Sequence, residues 1–283
     1  MKFVKDKKWL VDNLENDAVR VIDCRYDLSD PDAGRNHYQE SHIPGATYFD
    51  LKEHLSSPVK KHGGRHPLPD LEVFKKQLEE AGIDRSKTVI AYDDGGSMYA
   101  ARVWWLLKYL GHEKVYLLEE GFTGWEEKDY PVSNERPDFE TADYEMDIQK
   151  DMLASMEEVQ DIVESKNKLS VLIDSRAHER YLGEVEPMDR IAGHIPGAIN
   201  KEWDEGLDNG VFKNSDAQKE RFSELDPDEP IVVYCGSGVS ATPNYIALKM
   251  AGFENVKLYA GSYSDWISYE ENEVATGVEP RED

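Results

Sequence analysis

Short apolar, β-branched runs alternate along this chain with stretches whose apolar positions recur at helical spacing. Val19-Arg20-Val21-Ile22-Asp23-Cys24-Arg25 reads as a buried strand ending in polar groups. Thr88-Val89-Ile90-Ala91-Tyr92 and Val115-Tyr116-Leu117-Leu118 read as two more. The spacing predicts a helix over residues 7–16, with Trp9, Leu10 and Leu14 on one face. Further helices are expected over 71–81 and through Trp104, Trp105, Leu106 and Leu107. Strands that alternate with helices imply a parallel sheet covered on both faces and joined by right-handed crossovers.

The second half repeats the first. Val171-Leu172-Ile173-Asp174-Ser175-Arg176 matches the first strand, and Gly193-His194-Ile195-Pro196-Gly197-Ala198 matches Ser41-His42-Ile43-Pro44-Gly45-Ala46. Residues 231–240 match 89–98, 252–258 match 111–117, and Gly261 and Trp266 match Gly121 and Trp125. Self-similarity over roughly 130 residues indicates a duplicated domain rather than a solenoid. The expected division is a first α/β domain over 1–135, a polar linker over 136–150 and a second α/β domain over 151–283.

One difference between the halves carries chemistry. After the strand Ile231-Val232-Val233-Tyr234 comes Cys235-Gly236-Ser237-Gly238-Val239-Ser240, followed by a helical pattern with Ala247, Leu248, Met250 and Ala251. The first half has Asp93 where Cys235 stands. Glycines let successive backbone N–H groups converge into an anion-binding nest, and the following helix N-terminus adds its positive dipole end. Both features favour a thiolate and stabilise whatever anion its sulfur carries. Taken alone, a lone cysteine ending an apolar strand also reads as a small buried hydrophobe.

Bulk properties narrow the choice. A formal charge of −25 over 283 residues argues against nucleic acid and anionic membrane surfaces as partners. An anionic substrate would then need a local basic site. Two cysteines make no disulfide framework, the opening residues lack an apolar signal core, and no run reaches membrane-spanning length. A cytoplasmic protein is expected. No metal or organic cofactor is indicated, since the histidines lack ligand spacing.

Two halves with Asp-x-Arg, then His-Ile-Pro-Gly-Ala, then strand, cysteine loop and helix, resemble tandem rhodanese-type sulfurtransferases over nearly the whole chain. The resemblance implies ping-pong transfer: Cys235 takes sulfur from a donor, holds it as a persulfide, and passes it to a thiol, such as thioredoxin, or to cyanide. Cys-Gly-Ser-Gly-Val-Ser-Ala looks like the mercaptopyruvate branch. The thiosulfate branch carries Arg and Lys where Gly236 and Ser237 stand, so 3-mercaptopyruvate is the expected donor and thiosulfate the alternative. Ser237 is then a candidate to relay a proton to the departing enolate. Gly236, Gly238, Val239 and Ser240 would cradle the donor. The resemblance puts a carboxylate-binding arginine at Arg180, for which the first half has no arginine. Guanidinium suits that task because its fork binds carboxylate bidentately. A second clamp arginine is expected after Glu186-Pro187, but Met188 follows and Arg190 is nearest. A Ser-His-Asp relay in that branch draws its histidine from His66. Lys52 falls at its acid position, with Asp70 as a substitute. The basic loop around it, residues 60–66, reads either as solvated or as a cleft edge.

The duplication also separates scaffold from site. Asp174 and Arg176 recur as Asp23 and Arg25, and His194 and Pro196 as His42 and Pro44, so all read as structural. Cys24, inside a strand, reads as inert packing. A cysteine phosphatase would need a larger loop closed by an arginine, whereas Ala241 and Thr242 follow Ser240. A non-enzymatic persulfide carrier would need the nest but no clamp, and Arg180 argues against it. Two domains already supply a cleft, so a monomer is expected.

Overall fold

The buried strands of the first half line up side by side. In the computed structural model, which describes residues 2–164 and 170–279, they run in the spatial order Val4–Lys5, Val115–Leu118, Thr88–Tyr92, Val19–Asp23, Ala46–Tyr48. Every neighbouring pair is parallel. Thr88–Tyr92 is buried on both its alternating faces after the first residue, as a central strand must be. Leu10, Val21, Ile90 and Trp125 pack together on one side of this sheet. Helix Met98–Tyr109 is buried along most of its length, Arg102 included.

The second half repeats the plan in four strands, ordered Val256–Leu258, Ile231–Tyr234, Val171–Asp174 and Ile199–Asn200, again all parallel. A single parallel bridge from Leu153 to Leu258 stands at the edge where the first sheet has Val4–Lys5. Helix Ala241–Ala251 is buried at all but one position. It ends at Gly252 in the left-handed conformation.

The chain divides into two units that are not contiguous in sequence. The first comprises Met1–Ser57, Pro69–Gln149 and Asn209–Val211; the second comprises Pro58–Leu68, Lys150–Asp208 and Phe212–Asp283. The segment Pro58–Leu68, with its basic residues, therefore belongs to the unit that carries Cys235. No described helix is long and apolar enough to cross a membrane.

The scaffold pairs coincide almost atom for atom. Arg25 Nη2 donates to Asp23 Oδ2 at 2.7 Å and to the Ser41 carbonyl at 2.6 Å. Arg176 Nη2 donates to Asp174 Oδ2 at 2.6 Å and to the Gly193 carbonyl at 2.7 Å. His42 stacks on Tyr38 at 4.1 Å, and His194 on Tyr181 at 3.9 Å. One expected match shifts by a residue. Phe122 N donates to the Asp93 carbonyl and Tyr263 N to the Cys235 carbonyl, so Gly121 pairs with Ser262 rather than with Gly261.

Candidate active site

Strand Ile231–Tyr234 delivers Cys235 to the carboxyl end of the sheet, where ligands bind in open α/β folds. The cysteine is buried at 1% exposure. Its sulfur accepts the Gly238 N–H at 3.1 Å. Gly238 has φ +76°, and a Cβ there would collide with the Ala260 carbonyl, so the loop needs glycine at that point. Val239 is buried, and Ser240 stands at the N-terminus of helix Ala241–Ala251.

The first unit shows what such a loop does with a fixed anion. Asp93 accepts N–H bonds from Gly95, Ser97, Tyr99 and Ala100 at 2.8–3.2 Å and is buried. Burial raises its carboxyl above the usual range, and those four donors oppose the rise.

Two arginines meet over the cysteine loop. A Cβ added at Gly236 would lie 2.8 Å from Arg65 Nη2 and 3.4 Å from Arg180 Nη2. Arg65 comes from the basic segment, which is anchored rather than solvated. Gly63 N donates to Asp265 at 2.6 Å, Arg65 N to Ser264 Oγ at 3.1 Å, and His62 stacks on Tyr269 at 4.1 Å. Burial lowers the Arg65 guanidinium, the Cys235 sulfur opposes that, and Arg180 reinforces it. Asp189 bridges the pair, accepting from Arg65 on one oxygen and from Arg180 at 3.2 Å on the other. Glu186 accepts from Arg180 at 2.7 Å and from Arg176 at 3.1 Å. A continuous chain of alternating charge thus runs from the scaffold pair Asp174–Arg176 to the mouth of the loop.

His66 is buried, with Nδ1 2.8 Å from Ser237 Oγ. Asp70 is engaged elsewhere, capping helix Leu71–Glu80 through bonds from the N–H groups of Glu72 and Val73. Arg190 donates to the Ile267 carbonyl, and Met188 is exposed. The structure therefore brings Cys235, Gly236, Ser237, Gly238, Arg180 and His66 together, while Arg190 is bound to the Ile267 carbonyl. Among the described residues, no group of three or more His, Cys, Asp or Glu side chains could hold a metal ion.

Two residues at this centre escape the sequence reading. Arg65 falls within the basic stretch 60–66, whose charge alone does not single it out. Ser262 is fully buried at φ +56°, and its Oγ accepts the Cys235 N–H at 3.1 Å and lies 4.0 Å from the sulfur. The signal for Ser262 was available: Trp125 and Trp266 each fall four residues after the paired positions Gly121 and Ser262, which sets the register of the two halves.

Comparison with known proteins agrees with this geometry. A family model, the Rhodanese-like domain, matches residues 6–128 and 155–269. A probable 3-mercaptopyruvate sulfurtransferase of Pseudomonas aeruginosa is 40% identical over 274 residues, covering 95% of this chain and 96% of that protein. The thiosulfate sulfurtransferase of Rattus norvegicus is 32% identical, with 92% and 90% covered. Among solved structures, SseA from Escherichia coli, described as a 3-mercaptopyruvate sulfotransferase of rhodanese fold, superposes with a TM-score of 0.80 at 30% identity, covering 93% of this chain and all of that one.

Proposed function

The chain belongs to the rhodanese family, with two such domains in tandem, and from that premise we propose that it is a sulfurtransferase whose preferred donor is 3-mercaptopyruvate. The observation that carries the donor assignment is the meeting of Arg65 and Arg180 over Gly236, one residue from Cys235. A donor whose sulfur and carboxylate are separated by two carbons matches a nucleophile and a guanidinium pair set side by side. The Cys235 thiolate attacks the donor sulfur and forms an S–S bond as the C–S bond breaks. The carbon fragment leaves as the enolate of pyruvate and takes a proton at carbon from Ser237. His66 returns a proton to Ser237 across their 2.8 Å contact. An acceptor thiolate or cyanide then attacks the outer sulfur and releases the Cys235 thiolate.

Arg65 supplies the second clamp that Met188 does not. Asp189 holds both guanidiniums in place before the donor arrives, and the donor's carboxylate competes with it for them. Small thiols, cyanide and the dithiol of thioredoxin are the acceptors this sulfur fits, in a cytoplasmic, monomeric enzyme. The deciding measurement is kcat/KM for 3-mercaptopyruvate and for thiosulfate, scored as thiocyanate with cyanide as acceptor. We expect the first to lead; a lead for thiosulfate would overturn the donor assignment while leaving sulfur transfer intact.

A further inference from the structure

The arginine clamp beside Cys235 carries its own counter-charge. Arg65 turns Nη2 toward Gly236 and gives Nη1 to Asp189. Arg180 gives Nη2 to Glu186 at 2.7 Å and to Asp189 at 3.2 Å. Among the described residues, the ion pairs of this network join three guanidiniums, Arg65, Arg176 and Arg180, to three carboxylates, Asp174, Glu186 and Asp189. Their charges cancel. Two of the carboxylates belong to the frame. Asp174 holds Arg176, and Glu186 also accepts the N–H groups of Met188 and Asp189 at 3.0 Å, which fixes the turn that carries Asp189. The third is different: among the described residues, the partners of the Asp189 carboxylate are the two clamp arginines, and its side chain is only 3% exposed.

We propose that Asp189 is a specificity-determining residue that sets the charge of the donor: it cancels positive charge at the clamp and so favours singly charged donors over dianions. The proposal rests on the sulfurtransferase reading above and extends it to the charge of the substrate. At neutral pH 3-mercaptopyruvate carries one negative charge, on its carboxylate, whereas thiosulfate carries two. Without the Asp189 charge the network would change from neutral to singly positive. A dianion gains twice as much from that charge as a monoanion in the same place. Partial burial of the two guanidiniums keeps salt from screening the difference. The neutral side chains at Gly236 and Ser237 leave the loop without added positive charge, and Asp189 does the same for the clamp. Because Glu186 anchors the turn through backbone N–H groups, the Asp189 carboxylate can be altered without releasing that anchor.

Sulfate and methanesulfonate test this, because they share a tetrahedral shape and differ by one charge. Their competitive inhibition constants against 3-mercaptopyruvate are measured at fixed ionic strength on the full-length protein, Asp189→Asn and Asp189→Ser, with thermal unfolding to show which variants are folded. The parent should bind the two anions comparably. In the variants the constant for sulfate should fall about tenfold more than that for methanesulfonate, and the ratio of kcat/KM values should move toward thiosulfate by a similar factor. A residue that only anchored the arginines would change both anions and both donors alike. A folded variant in which the inhibitor ratio and the donor ratio both stay at the parent's values would overturn the proposal. So would a parent that binds sulfate about tenfold or more tightly than methanesulfonate, and that comparison stands even where the variants fail to fold. Neither inhibitor carries transferable sulfur, so the inhibitor result is independent of which donor leads.

Discussion

His66 Nδ1 and Ser237 Oγ stand 2.8 Å apart although 171 residues separate them in the chain. The contact joins a histidine from the first half of the sequence to the loop that carries the cysteine. If it relays a proton to the enolate, Ser237→Ala and His66→Gln should lower kcat with 3-mercaptopyruvate about 100-fold or more, with KM little changed. Thiosulfate turnover should fall far less, because sulfite leaves without protonation at carbon. Equal losses with both donors would show that the pair merely holds the loop.

Cys235 should carry all transferable sulfur. Donor treatment followed by peptide mass spectrometry should find the added sulfur there and none on Cys24. Burial pushes the Cys24 thiol well up, and its sulfur, one residue past strand Val19–Asp23, lies 2.9 Å from the Tyr92 carbonyl. Turnover that persists in Cys235→Ser would contradict the assignment.

Arg65→Gln and Arg180→Gln should each raise KM for 3-mercaptopyruvate about tenfold or more, since a charge-assisted contact contributes roughly 1.5–3 kcal/mol. Gly236→Ala should imitate Arg65→Gln, because the added methyl would lie 2.8 Å from Arg65 Nη2. For the same reason Gly236→Arg does not convert the loop cleanly to a thiosulfate type; it would first displace Arg65. Steady-state kinetics on the three variants check this, and a KM unchanged in Arg65→Gln would remove Arg65 from the clamp.

Ser262 sits in a left-handed backbone conformation that disfavours side chains by about 1–2 kcal/mol, where the first unit has Gly121 at φ +55°. Ser262→Gly relieves that strain but leaves the buried Cys235 N–H without its acceptor and the Tyr259 carbonyl without its hydroxyl donor, so it should gain no stability and should be slower in sulfur transfer. Thermal unfolding and single-turnover persulfide formation separate the two effects. A variant that gains stability without losing rate would show that the hydroxyl has no role at the sulfur.

Asp93→Ala should destabilise the first unit by about 2 kcal/mol or more, because buried N–H donors lose their acceptor. Calorimetry should register the loss, while kcat of the folded protein stays unchanged.

The central strands were legible. The short outer strands Val4–Lys5, Ala46–Tyr48 and Ile199–Asn200 were not, since two or three residues carry no pattern, and the strand expected over 19–25 ends at Asp23. Thr88–Tyr92, Val115–Leu118 and Ile231–Tyr234 appear as the apolar runs predicted, because in a sheet covered on both faces burial alone marks the strand. The first helix stops at Val11 rather than 16, since the last turns, through Asn13 and Asn16, hydrogen-bond locally instead of continuing it. Cys235, Ser237 and Arg180 were readable from motif and duplication. Arg65 was not, because its place over Gly236 depends on a tertiary excursion of residues 58–68 that leaves no periodicity. Asp189 was hidden likewise: a carboxylate near an arginine in sequence does not announce which second arginine it will bridge.

That excursion has a bearing on how the duplicated architecture can be divided. Two repeats that folded each from its own half of the sequence could be separated by one cut between them. Here the strip Pro58–Leu68 comes from the first half of the sequence but belongs to the second unit. Residues 151–283 expressed alone would retain the cysteine loop and Arg180 while lacking His66 and Arg65. A split of this chain into two polypeptides that keeps each unit whole therefore cannot be made by a single cut between the two halves of the sequence.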